Sequence, residues 1–450
     1  MEWSYHLLDA EEQRLLRAGS IFAGGFTLES LAGVTGAKPG AVEHTVGSLV
    51  AKSLVTVDGR RTSPTRYGML ETVREYVRQR VLDAHESSTL RDLHGAWFCD
   101  QLIANAAILA DDPQVGLTFC SAELDNLLAA LARTDEQGDL VRLGRLVPLL
   151  TIAIGRYLWV DEVGRYVCRP DIEQALDGDE LAAYLFAGAW NENALGHYRE
   201  QLALAQRALD AASRDSQVRG DAAFLAVNAL SAIEPDAGAR LADELMMHAG
   251  TWPPLVRRRV LAAKADCMVT SGDYVGGLAI YSDAYGQHLR DWPASLSLLL
   301  EVVGRHDDAK ELVRTEVSND EFYRYKVELG RAVVTASEDQ HDQALSHLRA
   351  AANFARVRPA RLLDRDLLVT AAALALQRGD PHRASQLLAV RRDTHWTRSP
   401  ESWALYLHVR DRLRRILTRD EIRYCKAQGA SLTVDTALAE ELGDAWPLPQ

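Results

Sequence analysis

The sequence lacks any apolar run long enough to cross a membrane. Its longest uncharged stretch covers residues 222–233, a little over half of the roughly 20 residues that a transmembrane helix needs, and includes Asn228 and Ser231. The first residues, MEWSY, have neither the basic nor the apolar segment of a secretory signal. We therefore expect no membrane partner and a cytoplasmic location.

Cysteine is scarce, and the thiols are scattered singly without a Cys-x-x-Cys spacing. This pattern argues against a disulfide framework and is typical of a protein in a reducing cytosol. We expect the five thiols to be small buried apolar side chains. They are Cys99, Cys120, Cys168, Cys267 and Cys425.

Aromatic residues make up only 7% of the chain, whereas Ala, Leu, Arg, Glu and Asp occur in almost every window. This composition predicts an all-α protein with one small β element. With 47% apolar residues, the 450-residue chain can bury a sizeable core and form roughly three domains of about 150 residues. A disordered or fibrous chain is thereby excluded.

Positive charge is in deficit, because 50 Lys and Arg residues face 63 Asp and Glu residues and leave a net charge of −13. The whole molecule should therefore repel DNA and anionic membranes. Binding to either would require a local basic patch.

Residues 1–85 are the region where a β-prone pair and a glycine-rich turn interrupt the helical pattern. Asp9 is expected to begin one helix, and Thr27 to cap a second over residues 28–34. A third helix is expected to begin at Ala41. Helix, turn and helix at this spacing predict a helix-turn-helix core.

A β-hairpin and a final helix should complete this region as a winged helix. The run LVTVDG at 54–59 ends in a strong hairpin signal, and a return segment follows near 67–70. A long amphipathic helix is expected from Glu71 to about His85. Its apolar side should carry Val73, Tyr76, Val77, Val81 and Leu82.

Beyond the winged helix, similar turns recur between helical segments, and most are followed five positions later by a small residue. The clearest turns begin at Gly272, Gly304, Asp339 and Gly379. Their spacings of 32, 35 and 40 residues are close to the tetratricopeptide period of about 34. With weaker copies near Gly196 and Glu234, they indicate about six degenerate repeats.

The predicted organisation is an all-α fold in which a winged helix with a small β wing precedes a tetratricopeptide-like α-superhelix. We expect the winged helix at 1–85, a helical connector at 86–178, repeats at 179–435 and a tail at 436–450.

Several segments of the first region carry a family resemblance. They are WSYHLLD at 3–9, EQRLLR at 12–17, FAGGFTLE at 22–29, LVAKSLV at 49–55 and LETVREY at 70–76. These segments resemble the winged helix of bacterial STAND/AAA-type signalling ATPases, and more narrowly of LuxR-family, AfsR/SARP-like transcriptional regulators. The resemblance implies a nucleotide-binding module before the winged helix, a tetratricopeptide-like sensor after it and often a terminal DNA-binding helix-turn-helix.

This chain lacks the motifs of the two flanking modules. No G-x-x-x-x-G-K-[ST] phosphate-binding loop occurs, so we expect no ATP site and no cofactor. The residues after Leu438 are too few for a second helix-turn-helix. The chain therefore resembles the middle of such a regulator.

Catalytic and metal-binding patterns are also missing. No G-x-S-x-G motif occurs, and His306, Asp308, His341 and Asp342 fall in predicted repeat turns, where short polar residues are expected. We therefore expect no catalytic residues, no metal site and no enzymatic activity.

The winged helix offers a candidate surface for DNA or for a protein partner. Its cations are Lys38, His44, Lys52, Arg60, Arg61 and Arg66. Ten basic residues balance ten acidic ones over 1–85, and the candidate recognition helix has no Arg, Asn or Gln for bidentate base contacts. This pattern favours protein docking, while DNA binding remains the alternative.

The repeats offer a candidate groove for a peptide, a partner protein or a small effector. Aromatic residues that could line it are Tyr281, Tyr285, Phe322, Tyr325 and Trp403. At helical spacing, such residues more often pack between helices.

Three hypotheses follow from the sequence. The leading one is a non-enzymatic, transcription-related signalling protein that docks a protein partner through its winged helix and a tetratricopeptide-like sensor arm. The partner would be a P-loop NTPase module or another regulator. The second is a stand-alone DNA-binding regulator with a helical effector domain. The third is a remnant of a split or truncated LuxR-family regulator.

Overall fold

The expected all-α fold with an N-terminal winged helix and a small β element is confirmed by a computed structural model. The structure describes residues 2–58, 64–111, 113–154, 161–286, 292–315, 321–356, 362–390, 399–443 and 446. The chain divides into two compact units, the first ending at Leu176 and the second beginning at Asp177. The finer division into four segments stays a prediction.

The winged helix occupies the start of the first unit. Its elements are α1 (Glu2–His6), α2 (Ala10–Gly19), α3 (Leu28–Thr35), α4 (Pro39–Ala51), β1 (Thr56–Val57), β2 (Tyr67–Gly68) and α5 (Glu71–Asp83). Two helix starts follow from side chains that cap them, as the sequence predicts. Asp9 accepts from the backbone of Glu12 in a reciprocal capping box, and Thr27 makes the same arrangement with Ser30.

The wing is a short antiparallel pair that is joined to the helix-turn-helix. Thr56 lies opposite Gly68 and Val57 opposite Tyr67, while Tyr67 also forms a β-bridge with Phe26. Gly25 makes this approach possible, because it has a φ of +76° and a Cβ there would lie 2.5 Å from the Tyr67 carbonyl oxygen.

Three expectations for the first unit need correction. Helix α4 begins at Pro39 rather than at Ala41, since proline fits the first helical position. Leu82 is 54% exposed, although the helical pattern assigned it to the apolar side of α5. Cys168 is exposed with a positive φ, whereas the other four cysteines are buried as expected.

The rest of the first unit is a helical bundle that packs against the winged helix. It contains α6 (Ser87–Asp111), α7 (Pro113–Ala122), α8 (Leu124–Glu136), α9 (Leu140–Ile154), α10 (Asp161–Gly164) and α11 (Pro170–Gln174). Phe22 of the winged helix contacts the rings of His94 and Phe98 on α6, with ring centroids 5.0 and 5.9 Å apart. The two parts of this unit therefore share one aromatic core.

The second unit consists of successive helices joined by short turns. They are α12 (Gly178–Leu195), α13 (Tyr198–Ala211), α14 (Gln217–Ile233), α15 (Pro235–Met246), α16 (Pro254–Ser271), α17 (Tyr274–Tyr285), α18 (Leu296–Val302), α19 (His306–Thr315), α20 (Glu321–Ser337), α21 (His341–Arg356), α22 (Leu362–Gln377), α23 (Pro381–Leu388), α24 (Pro400–Ile416), α25 (Arg419–Ala430) and α26 (Val434–Leu442). A 3-10 turn lies at Ala249–Thr251.

The predicted turn positions of the second unit are confirmed. Gly272, Gly304, Asp339 and Gly379 lie between consecutive helices and have φ values from +60° to +99°. The small residues five positions later are buried where paired helices cross. At Gly277, a Cβ would lie 2.7 Å from Val269 Cγ2, so the close approach requires a small residue there.

Helix α24 departs from the pattern of neighbouring pairs. It contacts α22 and α23, its neighbours in the chain, but also α16 and α18. Ala404 of α24 is fully buried in the same apolar cluster as Leu299 of α18. The helix therefore joins early and late parts of the unit.

Candidate docking surface of the winged helix

Helix α4 buries one side, and its other side is exposed and includes two glycines. Val42 and Val46 are buried in the core of the winged helix. Gly40, Glu43, His44 and Gly47 share an exposed face, and a Cβ at either glycine would meet nothing within 4 Å. This face can therefore accept a close, flat contact.

The predicted cations of α4 differ in their surroundings. Lys38 and His44 are exposed, and Lys38 occupies the N-cap position without a side-chain capping bond. Lys52 instead pairs with Glu12 of α2, which also accepts from Ser48 Oγ at 2.6 Å. The hydrogen bonds from Lys52 and Ser48 hold the pKa of Glu12 below its usual value. The positive charge of Lys52, which was predicted for the docking surface, is thus paired with a carboxylate of the same domain.

Arg66 is not on an open surface. Its side chain is only 16% exposed, and it binds both carboxylate oxygens of Glu123, the N-cap residue of α8, at 2.7 and 2.8 Å. The same guanidinium donates to the carbonyls of Gly24 and Gly25, at 2.8 and 3.2 Å. In this structure Arg66 joins the wing, the Gly24–Gly25 turn and α8.

Asn126 extends this polar network. Its Nδ2 donates to Gly25 O at 3.0 Å and to Glu123 Oε2 at 2.7 Å, while its Oδ1 accepts from the backbone N–H of Ala23 at 3.0 Å. Sequence reasoning missed this network because Arg66 and Glu123 are separated by 57 positions. The remaining predicted wing cations, Arg60 and Arg61, lie outside the described residues.

A shallow cleft of about 600 Å³ lies where α3 meets the start of α4. The indole of Trp97 on α6 forms one wall and crosses α3 at Gly33, where a Cβ would lie only 1.9 Å from Trp97 Nε1. Gly36 and Gly40 line the cleft, and Glu29 and Glu43 contribute carboxylates. The cleft and the exposed face of α4 together form what we call the α3–α4 surface.

In the second unit, two of the predicted groove residues are packed inside. Tyr281 is 3% exposed and donates to Asp266 Oδ1, while Tyr325 is 1% exposed and donates to Leu363 O at 2.9 Å. Tyr285 is half-buried, with its ring centroid 6.3 Å from that of Tyr281.

Trp403 and Phe322 complete the predicted groove set. Trp403 is half-buried on α24, where it stacks on Tyr406 with ring centroids 5.1 Å apart and lies under the Arg365 guanidinium. The side chain of Phe322 lies outside the described residues. The groove role of these aromatic residues stays a prediction.

The helices around Tyr281 also enclose charge. Burial and the nearby carboxylate of Glu401 raise the pKa of Asp266 to about 7. Lys326 donates to Asp366 at 2.6 Å. Sequence reasoning missed these groups, since single charges on successive helices show no distinguishing spacing.

Two absences apply to the described part of the chain. There, no helix has the length and apolar character required to cross a bilayer. Within those same ranges, no three His, Cys, Asp or Glu side chains come together as a metal site would require. His306 instead places Nδ1 2.7 Å from Glu301 Oε2.

Comparison with known families assigns the first part of the chain. Residues 8–82 match the family described as winged helix-turn-helix domain. This part of the chain is a winged helix-turn-helix domain.

The chain is also similar to mycobacterial proteins. Proteins of Mycobacterium tuberculosis and Mycobacterium bovis named "Putative HTH-type transcriptional regulator" are 37% identical to it over 147 residues. The match covers 31% of this chain but only 16% of each relative.

A solved structure shows a weaker likeness. It is a signal transduction ATPase with numerous domains (STAND) protein with a tetratricopeptide repeat sensor, from Pyrococcus horikoshii. It is 15% identical, with a TM-score of 0.38 over 92% of this chain and 66% of that chain.

Proposed function

We propose that this chain is a non-enzymatic, cytoplasmic, transcription-related regulator that docks a protein partner on the α3–α4 surface. The observation that carries the proposal is the exposed face of α4, where Gly40 and Gly47 carry no side chain and Glu43 and His44 are the polar groups between them. Bidentate base recognition in the major groove uses Arg, Lys, Asn or Gln, none of which lies on this face, whereas a low face with an adjacent cleft suits a protein contact.

The electrostatics support the same choice. A DNA-binding face gains most of its affinity from cations that are free to contact phosphates. Lys52 pairs with Glu12, and Arg66 with Glu123, so two of the candidate cations already have carboxylate partners. The winged helix region is neutral overall, and the chain carries −13.

We further propose that the partner is a P-loop NTPase module, and that the helices of the second unit form a tetratricopeptide-like sensor. This follows from the resemblance to LuxR-family, AfsR/SARP-like regulators, in which a nucleotide-binding module precedes the winged helix. The turn spacing in the second unit supports the sensor assignment.

A paired substitution tests the docking surface. Gly47→Glu places a charged side chain on the exposed face of α4, whereas Gly250→Glu makes the same change at an open glycine in the second unit. Full-length chains are used as bait in a lysate of the source cells, and P-loop NTPase peptides are identified by mass spectrometry. We expect capture with the wild type and Gly250→Glu and a loss of at least about tenfold with Gly47→Glu.

Equal capture by the wild type and Gly47→Glu, or capture of no P-loop NTPase, would contradict this mechanism.

DNA binding is the second candidate, which the helix-turn-helix match favours. Anisotropy titration of labelled duplexes at low and high salt tests it, because phosphate contacts make affinity fall steeply with salt. We expect no saturable binding at low salt, and steeply salt-dependent binding would favour the DNA-binding hypothesis.

A further inference from the structure

A cavity of about 390 Å³ lies inside the first unit, between α5, α6, α8 and the segment after α2. Its apolar wall is formed by Ile21, Val81, Leu82, Ala129 and Ala132. Leu82 is the residue of α5 whose exposure contradicts the amphipathic pattern. Because Leu82 lies at this cavity, a molecule bound there would cover its exposed apolar side chain.

His94 also lines the cavity. It is 3% exposed, and its Nε2 lies 3.3 Å from Asn126 Oδ1. That oxygen also accepts from the backbone N–H of Ala23, so Nε2 carries the proton and Nδ1 has a free lone pair. Burial lowers the pKa of His94 to about 4, so the ring is neutral at pH 7.

The cavity also has a cationic side. Arg91 and Arg133 line it, but both bind Glu136, at 2.7 and 2.9 Å, and Arg133 also binds Asp92 at 2.7 Å. Arg78 has no such carboxylate. Its Nε donates to Ser20 O at 3.3 Å, and in the described ranges its terminal nitrogens have no acceptor. Three arginines thus face two carboxylates, which leaves an excess positive charge.

We propose that this cavity binds a small organic anion with a flat apolar body and an N–H or O–H donor. The anionic group pairs with Arg78, the donor group binds His94 Nδ1, and the apolar body packs between Leu82 and Ala132. The site combines an apolar wall with a few polar groups that fix orientation, as ligand cavities of this size do. It goes beyond the proposed partner docking, and its test does not depend on that partner.

The test uses 8-anilinonaphthalene-1-sulfonate, whose naphthalene, anilino N–H and sulfonate match the three features. Fluorescence and calorimetric titrations of the full-length chain should give saturable binding of one molecule. N-phenyl-1-naphthylamine, which lacks the sulfonate, serves as the uncharged control. We expect Arg78→Gln to weaken sulfonate binding about tenfold and to leave the uncharged compound unaffected, because a charged hydrogen bond is lost.

Two further variants localise the binding. Ala132→Phe fills the cavity and should abolish binding of both compounds, whereas Arg80→Gln, on α5 but outside the cavity, should change neither. Circular dichroism and thermal unfolding confirm that each variant is folded. Absence of saturable binding, or equal sulfonate affinity in the wild type and Arg78→Gln, would overturn the proposal, and the second criterion holds even if Ala132→Phe fails to fold.

Discussion

The guanidinium of Arg66 donates four hydrogen bonds, to Glu123 and to the carbonyls of Gly24 and Gly25. Its bidentate pair with Glu123 is almost enclosed, since the two side chains are 16% and 7% exposed. An enclosed pair of this kind contributes modestly as a whole, but the removal of one member leaves an uncompensated charge. Substitution of one member of the pair should therefore lower the free energy of unfolding measurably.

We expect Arg66→Met to lower the free energy of unfolding of the first unit by about 3 kcal/mol, because Glu123 loses its partner. Urea unfolding measures the change, and hydrogen exchange should be faster in peptides over residues 22–28. The double variant with Glu123→Met is the control and should recover a large part of the loss. A double variant as unstable as the single one would contradict this explanation.

At the scale of elements, two glycines of the winged helix have opposite surroundings. Gly33 in α3 lies under the Trp97 indole, whereas Gly47 in α4 faces open space. We expect Gly33→Ala to lower stability by about 1–2 kcal/mol, because the new Cβ displaces the indole. Gly47→Ala should raise stability by about 0.5–1 kcal/mol through helix propensity. Urea unfolding of both variants checks the pair, and a gain in both would show that Trp97 moves aside at little cost.

The ends of helices could be predicted where they depend on contacts between residues that are close in the sequence. Asp9 and Thr27 begin helices because each bonds to a backbone N–H within three positions, and the left-handed turn at Gly272 is equally local. The enclosed ion pair of Arg66 could not be predicted, because the carboxylate that binds it lies 57 positions away in the chain. Leu82 follows the helical period but lies at a cavity, and no single-helix pattern describes a cavity between several helices.

The candidate site was predictable only in part, for the same reason. The cations and the absence of base-reading side chains on α4 follow from the residues themselves. The cleft beside α4 depends on Trp97, which α6 brings to Gly33 from a distant position. The packing of α24 against α16 and α18 is likewise a contact between distant segments.

At the scale of the whole molecule, the two units contain buried groups with opposite responses to pH. In the first unit, His94 has a pKa of about 4, below its ordinary value of 6.5. As pH falls through this interval, the unfolded chain takes up a proton that the folded unit does not, so the folded unit loses stability. In the second unit, the pKa of Asp266 is about 7, above the ordinary 3.8. Here the folded unit holds a proton that the unfolded chain has released, so stability is lost as pH rises through that interval.

Acidification from pH 7 to pH 4 should therefore weaken the first unit through His94 and strengthen the second through Asp266. Urea unfolding followed by hydrogen exchange and mass spectrometry resolves the two units by their peptides. Asp266→Asn keeps an oxygen acceptor for Tyr281 but cannot ionise, so it should raise the stability of the second unit at pH 7 by about 1–3 kcal/mol and change little at pH 4. His94→Gln should remove part of the acid sensitivity of the first unit and leave the second unchanged. If either variant altered the pH response of the other unit, the two units would not unfold independently. The assignment of acid sensitivity to His94 and of alkaline sensitivity to Asp266 would then be wrong.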